Sequence, residues 1–158
     1  GMILISGIQV MKGYLNDEEK TSKVLKIINS KIYYITGDKG KIDEDGFLTI
    51  VDRYSRFAKL AGEMISLGII EEKISKLIDL EENNLVDFII TTIEDDKKGE
   101  KIILLISHVN EEYISLLKEK ILNSFENKLM IPSNIKIIDE VPRLGSGKKD
   151  FAKAKLLV

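Results

Sequence analysis

Cysteine is absent from the 158 residues, which removes disulfides, zinc thiolate sites and cysteine nucleophiles from consideration. Histidine occurs once. His108 follows the apolar run Ile102 to Ile106 and reads as a strand-end residue, and a Ser-His-Asp reading would rest on it alone. Excess charge of either sign is also missing: 24 Lys and Arg against 26 Asp and Glu leave −2, which gives no pull toward nucleic acid or an anionic membrane. No run approaches the roughly 20 apolar residues of a membrane span, and no signal peptide is visible. The expectation is therefore a cytoplasmic chain with no nucleic-acid partner. Repeats and low-complexity segments are absent too. Arginine is scarce, and Arg53, Arg56 and Arg143 fall in two short loops while the other basic residues are lysines. Arginine is the better planar, bidentate partner for phosphates and vicinal hydroxyls, so this restriction draws attention to those loops.

What is present describes a globular chain, 44% hydrophobic and 32% charged, long enough for one domain with a core or for one domain plus a fragment of another. Met2 to Ile5 is a short strand candidate, and Ile8 to Met11 is a second, ending at Gly13-Tyr14. Asn16 or Asp17 can cap a helix with acids in its first turn and Val24, Leu25 and Ile28 at helical spacing. Two strands and one helix bury themselves poorly, so this opening is expected to belong to a larger body. Ile32 to Ile35 is a strand that breaks at Thr36-Gly37-Asp38, and Lys41 to Val51 is a hairpin turning at Asp45-Gly46. Asp38 could accept two hydrogen bonds from a ribose diol or could simply form the turn.

Asp52-Arg53-Tyr54-Ser55-Arg56 is irregular and is a candidate boundary or hinge. Beyond it, Ala61-Gly62-Glu63 interrupts two short strands, where Gly62 either admits a close neighbour or is a plain bulge. From Gly68 the period becomes helical, with Ile70, Ile74, Leu77 and Ile78 on one face and Glu71, Glu72, Lys73 and Lys76 on the other. Leu85 to Thr92 and Lys101 to Val109 are apolar strands joined by the charged run Glu94 to Gly99, most simply a solvated tip. Asn110 caps a helix to about Lys128 with Ile114, Leu117, Ile121 and Phe125 inward. Ile135 to Ile138 is the last strand, and Asp150 caps a short helix to about Leu157. Residues 57 to 158 thus predict a small α+β domain.

The last strand delivers the chain to Val141-Pro142-Arg143-Leu144-Gly145-Ser146-Gly147-Lys148-Lys149-Asp150. Glycines flank Ser146, Pro142 stops what precedes, and no apolar periodicity runs through, so the segment reads as an exposed loop with Lys148 at its tip. Such a loop lets backbone N–H groups approach an anion while the lysine supplies a mobile charge. The plain alternative is a surface turn. It is not a P-loop: the first glycine position of that motif falls on Pro142 and its Ser/Thr position on Lys149.

Four pieces in order, Tyr34-Ile35-Thr36-Gly37-Asp38, Asp43-Glu44-Asp45-Gly46-Phe47 leading into Asp52-Arg53, Ala61-Gly62-Glu63, and Pro142 through Ser146-Gly147-Lys148, resemble the consecutive C-terminal motifs of the adenylate-forming (AMP-binding) superfamily. Gly7 to Tyr14 is similar to the segment preceding them. Arg56 to Leu67 and Leu144 to Phe151 look like the bacterial acyl-[acyl-carrier-protein] synthetase, often fused to a 2-acylglycerophosphoethanolamine acyltransferase. General acyl-CoA synthetases usually follow Ser-Gly-Lys with an apolar residue, whereas Lys149-Asp150-Phe151 stands here.

The resemblance implies an α+β fold in which residues 1–53 end a large N-terminal domain, 54–56 form a hinge at Tyr54 and Ser55, and 57–158 form a mobile C-terminal domain, a three-stranded sheet with helices plus a β-hairpin. It implies an ATP-dependent ligase that makes an acyl-adenylate from a fatty acid and passes the acyl group to the phosphopantetheine thiol of acyl carrier protein, or to CoA. Asp38 and Arg53 would bind the nucleotide and Lys148 would be catalytic, supported by Gly145, Ser146 and Gly147. Lys59, Gly62 and Glu63 would form the face for the thiol acceptor. ATP and Mg2+ would serve the full-length enzyme, with neither held tightly by this chain and no metal site of its own. Membrane association, at the inner membrane, would come only through upstream parts. The family's Gly- and Ser/Thr-rich phosphate loop and acyl tunnel have no counterpart here, so the chain alone is expected to be inactive. A stand-alone module that binds acyl carrier protein without chemistry is the alternative from another class.

Overall fold

In the computed structural model, which describes residues 1–78, 85–97 and 99–158, the chain divides after Arg56 into two units, Gly1–Arg56 and Phe57–Val158. Lys98, within the charged run Glu94 to Gly99, lies outside the described residues.

The first unit is an antiparallel sheet laid out on one long strand, β3 (Lys31–Ile42), flanked by β1 (Met2–Ile5) and β2 (Leu25–Ile28), with β4 (Leu48–Arg53) also paired to β3. Helix α1 (Glu18–Val24) is capped by the Asp17 carboxylate, which accepts from the Lys20 N–H at 2.9 Å. The helix stops at Val24, short of the expected Leu25 and Ile28, because those residues pair with β3 instead. Asn29 and Ser30 connect the two strands, both at positive φ (48° and 61°), the geometry that matches strand twist in a two-residue hairpin. Ile8 to Met11 is a turn rather than a strand: the Val10 N–H closes back on the Gly7 carbonyl at 3.1 Å, and Ile8 is fully exposed.

The expected break at Thr36-Gly37-Asp38 is a bulge inside continuous β3. Leu4 pairs with Ile35 but Met2 pairs with Lys39, so extra residues of β3 are looped out, with Gly37 at φ +80°. The Thr36 hydroxyl pins the bulge, donating to the Ile3 carbonyl at 2.9 Å and accepting from the Asp38 N–H at 3.0 Å. The hairpin predicted at Asp45-Gly46 forms, with Ile42 opposite Leu48 and Gly46 at φ +87°.

The second unit opens with a hairpin, β5 (Phe57–Leu60) and β6 (Glu63–Ser66), followed by α2 (Leu67–Leu77). Strands β7 (Asp87–Asp95) and β8 (Gly99–Ser107) are antiparallel, and β9 (Asn134–Ile137) runs parallel to β8 after the crossover helix α3 (Glu111–Ser124). The predicted three strands and separate hairpin join into one five-stranded sheet, ordered β6-β5-β8-β7 with β9 also on β8, through the single pair Leu60–Gly99. Side chains Ser66, Asn110 and Asp150 cap α2, α3 and α4 (Phe151–Lys155). Helix α3 ends before Lys128, at Ser124, where Phe125 turns inward and Asn127 caps a separate 3-10 turn, Lys128–Met130. Helix α4 likewise ends at Lys155, short of Leu157.

Both faces of the central strands are covered, which is why they read as nearly unbroken apolar runs. Phe88, Ile90, Ile102, Leu104 and Ile106 face α2 and α3, meeting Ile70, Ile74, Ile114, Leu117, Ile121 and Phe125. Ile89, Ile103 and Leu105 face the other way, under Val141 and Ala154. The C-terminal segment is thereby fixed to the sheet on either side of the residues 142–149. No helix among the described residues is long and apolar enough to cross a membrane.

Candidate functional site

The segment from Pro142 to Asp150 folds as a tight hairpin. Its base is the Asp150 N–H on the Pro142 carbonyl (2.8 Å) and a bridge between Arg143 and Lys149. Above it the Leu144 N–H donates to the Lys148 carbonyl and the Gly147 N–H to the Leu144 carbonyl, each at 2.8 Å. Gly147 sits at φ +81°, which a side chain disfavours, while Gly145 and Ser146 are the exposed centre of the turn.

Three cations rise from this hairpin, and two are engaged. The Arg143 guanidinium forks, one nitrogen on the Gly147 carbonyl at 2.7 Å and the other on the Asp87 carboxylate at 2.5 Å. The Lys149 amine lies 3.8 Å from the second Asp87 oxygen and 4.5 Å from the centre of the Phe88 ring. The Lys148 side chain is exposed and, among the described residues, makes no hydrogen bond or ion pair. Its amine is therefore free to meet an anion delivered from outside the loop. Asp87 was not foreseen; it stands 56 residues from Arg143, and no local pattern marks it.

The hairpin β5–β6 carries the other predicted face of this unit. Ala61 and Gly62 (φ 50° and 90°) make its two-residue turn, open around the Gly62 Cα, with Leu60 paired to Glu63. Lys59 is held by its backbone, whose N–H donates to Glu100 Oε2 at 2.6 Å while the Thr92 hydroxyl donates to Oε1 at 2.7 Å. Lys59, Gly62 and Glu63 are thus brought together, but not with Lys148. The lysine hairpin is tied to Asp87 at the start of β7, whereas β5 joins at Gly99, opposite Asp95 at the other end. Eight residue steps of strand separate the two ends by roughly 26 Å.

In the first unit, Asp38 and Arg53 are direct cross-strand partners, with Arg53 Nε 3.1 Å from Asp38 Oδ1. The β3–β4 ladder shifts register between Lys39–Asp52 and Gly40–Ile50, and beyond that shift Asp38 stands opposite the last residue of β4. Arg53 remains mostly exposed and Asp38 mostly covered, so the carboxylate is steered and the guanidinium still reaches solvent. Tyr54 and Ser55 begin a 3-10 turn, Tyr54–Arg56, where the two units divide. His108 follows β8 directly, at φ 61°, with Nδ1 3.0 Å from the Ser107 hydroxyl. Among the described residues no three acidic or histidine side chains gather to hold a metal ion.

No protein-family model matches the chain. The chain is 31% identical to 4-coumarate–CoA ligase 2 of Nicotiana tabacum over 99% of its length, and spans 28% of that protein. It is 25% identical to o-succinylbenzoate CoA synthetase (MenE) of Bacillus subtilis, solved with the acyl-adenylate intermediate OSB-AMP, at a TM-score of 0.72 and covering 98% of this chain and 30% of that one. ATP-bound MatB of Rhodopseudomonas palustris shares the fold, at a TM-score of 0.79 and 23% identity, with 99% of this chain and 30% of that one covered.

Proposed function

The chain matches the C-terminal domain of the AMP-binding acyl-CoA ligase superfamily, and from that premise we propose that it is the part of an AMP-forming acid–thiol ligase that brings Lys148 to the reacting carboxylate and phosphate. In the first half-reaction a carboxylate oxygen attacks the α-phosphorus of ATP, the bond to the β-phosphate oxygen breaks, and acyl-adenylate and pyrophosphate result. In the second, a thiol attacks the acyl carbon and AMP leaves.

Lys148 serves the first step. An ammonium beside the attacking carboxylate and the α-phosphate offsets their mutual repulsion and the charge that develops between them, an effect worth roughly 3 kcal/mol, or about two decades in rate. The observation that carries this reading is the division of labour in the hairpin: Arg143 and Lys149 are spent on Asp87, and Lys148 is left in water. Asp38 accepts the ribose hydroxyls and Arg53, already paired to it, assists. Tyr54 and Ser55 act as the hinge about which residues 57–158 turn, presenting the lysine hairpin in one half-reaction and the Lys59, Gly62 and Glu63 hairpin in the other. ATP and Mg2+ are used by the whole ligase, to which this chain contributes the charge of Lys148 and the pair Asp38–Arg53.

Two acceptors have support. The relatives' names speak for CoA. Lys149-Asp150-Phe151, where CoA ligases usually carry an apolar residue first, speaks for acyl carrier protein and a fatty acid. Titrating the intact ligase with each thiol separates them.

The decisive test of the central reading is Lys148→Ala in the intact ligase. Adenylate formation, followed by pyrophosphate release, should fall about a hundredfold, while thioester formation from supplied acyl-adenylate is largely kept. Equal loss in both halves would contradict the assignment. The 158-residue chain alone should release no pyrophosphate.

A further inference from the structure

We propose that Asp87 is the positioning residue for Lys148, acting through Arg143. The proposal rests on the adenylation reading of Lys148 and adds the element that aims it.

Beyond its two backbone hydrogen bonds, the hairpin tip Leu144-Gly145-Ser146-Gly147 has little to hold it in one conformation, since two of its four residues are glycines and all four are exposed. A lysine at the end of such a tip would sweep a wide volume. Three contacts restrict it. The guanidinium of Arg143 bonds the Gly147 carbonyl, which belongs to the peptide leading directly into Lys148. Its other nitrogen bonds Asp87 Oδ2, and Lys149, on the far side of Lys148, lies against Oδ1 and the Phe88 ring. The residues on both sides of Lys148 are therefore referred to one carboxylate.

That carboxylate is itself fixed. Asp87 Oδ1 accepts the Phe88 N–H at 2.9 Å, and the Asp87 carbonyl accepts the Ser107 hydroxyl at 3.3 Å. Its neighbours Val86 and Phe88 are both buried, and β7 pairs with β8 along its whole length. The chain of contacts thus runs from the rigid sheet through a carboxylate and a planar fork to the peptide before Lys148. Arginine is required in the middle, because an ammonium is a point donor and lacks the fixed fork that spans the carbonyl and the carboxylate together. A carboxylate that absorbs two cations also keeps them from competing for the incoming anion.

The test uses Asp87→Asn, Asp87→Glu and Arg143→Lys in the intact ligase, with Lys148→Ala beside them. Asn keeps the acceptor for the Phe88 N–H and removes the charge. The expected result for Asp87→Asn and Arg143→Lys is faster amide exchange at Leu144 and Gly147. With it, kcat for adenylate formation should fall about tenfold at little change in KM for ATP, and thioester formation from supplied acyl-adenylate should be unaltered. Asp87→Glu should restore most of the rate.

Unchanged exchange at Leu144 and Gly147 in Asp87→Asn would overturn the brace whatever Lys148 does. Faster exchange with an unaltered adenylation rate, while Lys148→Ala remains crippled, would overturn the positioning role and leave the reading of Lys148 standing. A fully active Lys148→Ala would remove that reading and the positioning role with it.

Discussion

The two sheets of this chain are built from similar residues and held together differently. In the second unit Ile89, Leu104, Leu105 and Ile106 are fully enclosed because helices cover one face and the C-terminal segment the other. In the first unit no side chain reaches that state: Ile27 is 77% exposed and Ile50 63%. A sheet needs a covering layer to bury its apolar face, and α1, with no buried residue, does not supply one. Within these 158 residues the first sheet has its backbone ladder on β3 and local bonds such as those of Thr36, and the second has burial as well. Isoleucine content alone would not tell the two apart.

Side-chain truncation gives the largest expected contrast. Ile121→Ala, in the α3 face of the core, should cost about 2–5 kcal/mol in denaturant unfolding. In the 158-residue chain, Ile50→Ala should stay within about 0.5 kcal/mol. Comparable losses at both positions would mean that the first sheet is buried after all, and the contrast would fail.

Glycine substitution sharpens the comparison at smaller scale. Gly37 and Gly147 share nearly the same backbone, φ +80° and +81°, with open space around each Cα. Alanine at either should cost about 1–2 kcal/mol of backbone strain. The same strain is a larger share of what holds the first sheet, so Gly37→Ala should open β3 to amide exchange while Gly147→Ala leaves β7 and β8 protected. Protection of β3 matching that of β7 in the two variants would count against the ranking.

The smallest effects should be equal in the two units. Glu19–Lys23 and Glu72–Lys76 are the same i,i+4 pair at 2.6 Å, both exposed. The hydrogen bond and charge of Lys76 hold the Glu72 carboxyl below its usual value of 4.5. A lowered carboxyl contributes above its unfolded value and loses that contribution as pH falls through the folded one. The Tm difference between wild type and Lys76→Ala should accordingly be small near pH 7 and vanish in acid. A difference that grows in acid would reverse the sign assigned here.

Periodicity revealed the second unit well. Ile70, Ile74 and Ile78, then Ile114, Leu117, Ile121 and Phe125, all turn inward as their spacing predicts, since burial and helical period agree there. Where two local preferences compete, the sequence misleads. Leu25 to Ile28 continues a helical pattern, yet two β-branched residues before an Asn-Ser turn favour a strand. Gly37 looks like a terminator because positive φ serves a bulge as well as a stop. Asp38 with Arg53 could be chosen by motif, but their 3.1 Å contact depends on a shift in the β3–β4 register that no local pattern announces. Asp87 could not be chosen at all, because its meaning lies in a contact between distant segments, and one acidic residue opening an apolar run carries no sign of it.

The paired strands β7 and β8 have the lysine hairpin moored at one end, on Asp87, and the β5–β6 hairpin joined at the other, on Gly99 of β8. A stiff beam loaded at both tips behaves as a seesaw. On the proposed reading, rocking that lowers one tip onto a stationary object would lift the other away, so the two tips would take turns at that object and not share it.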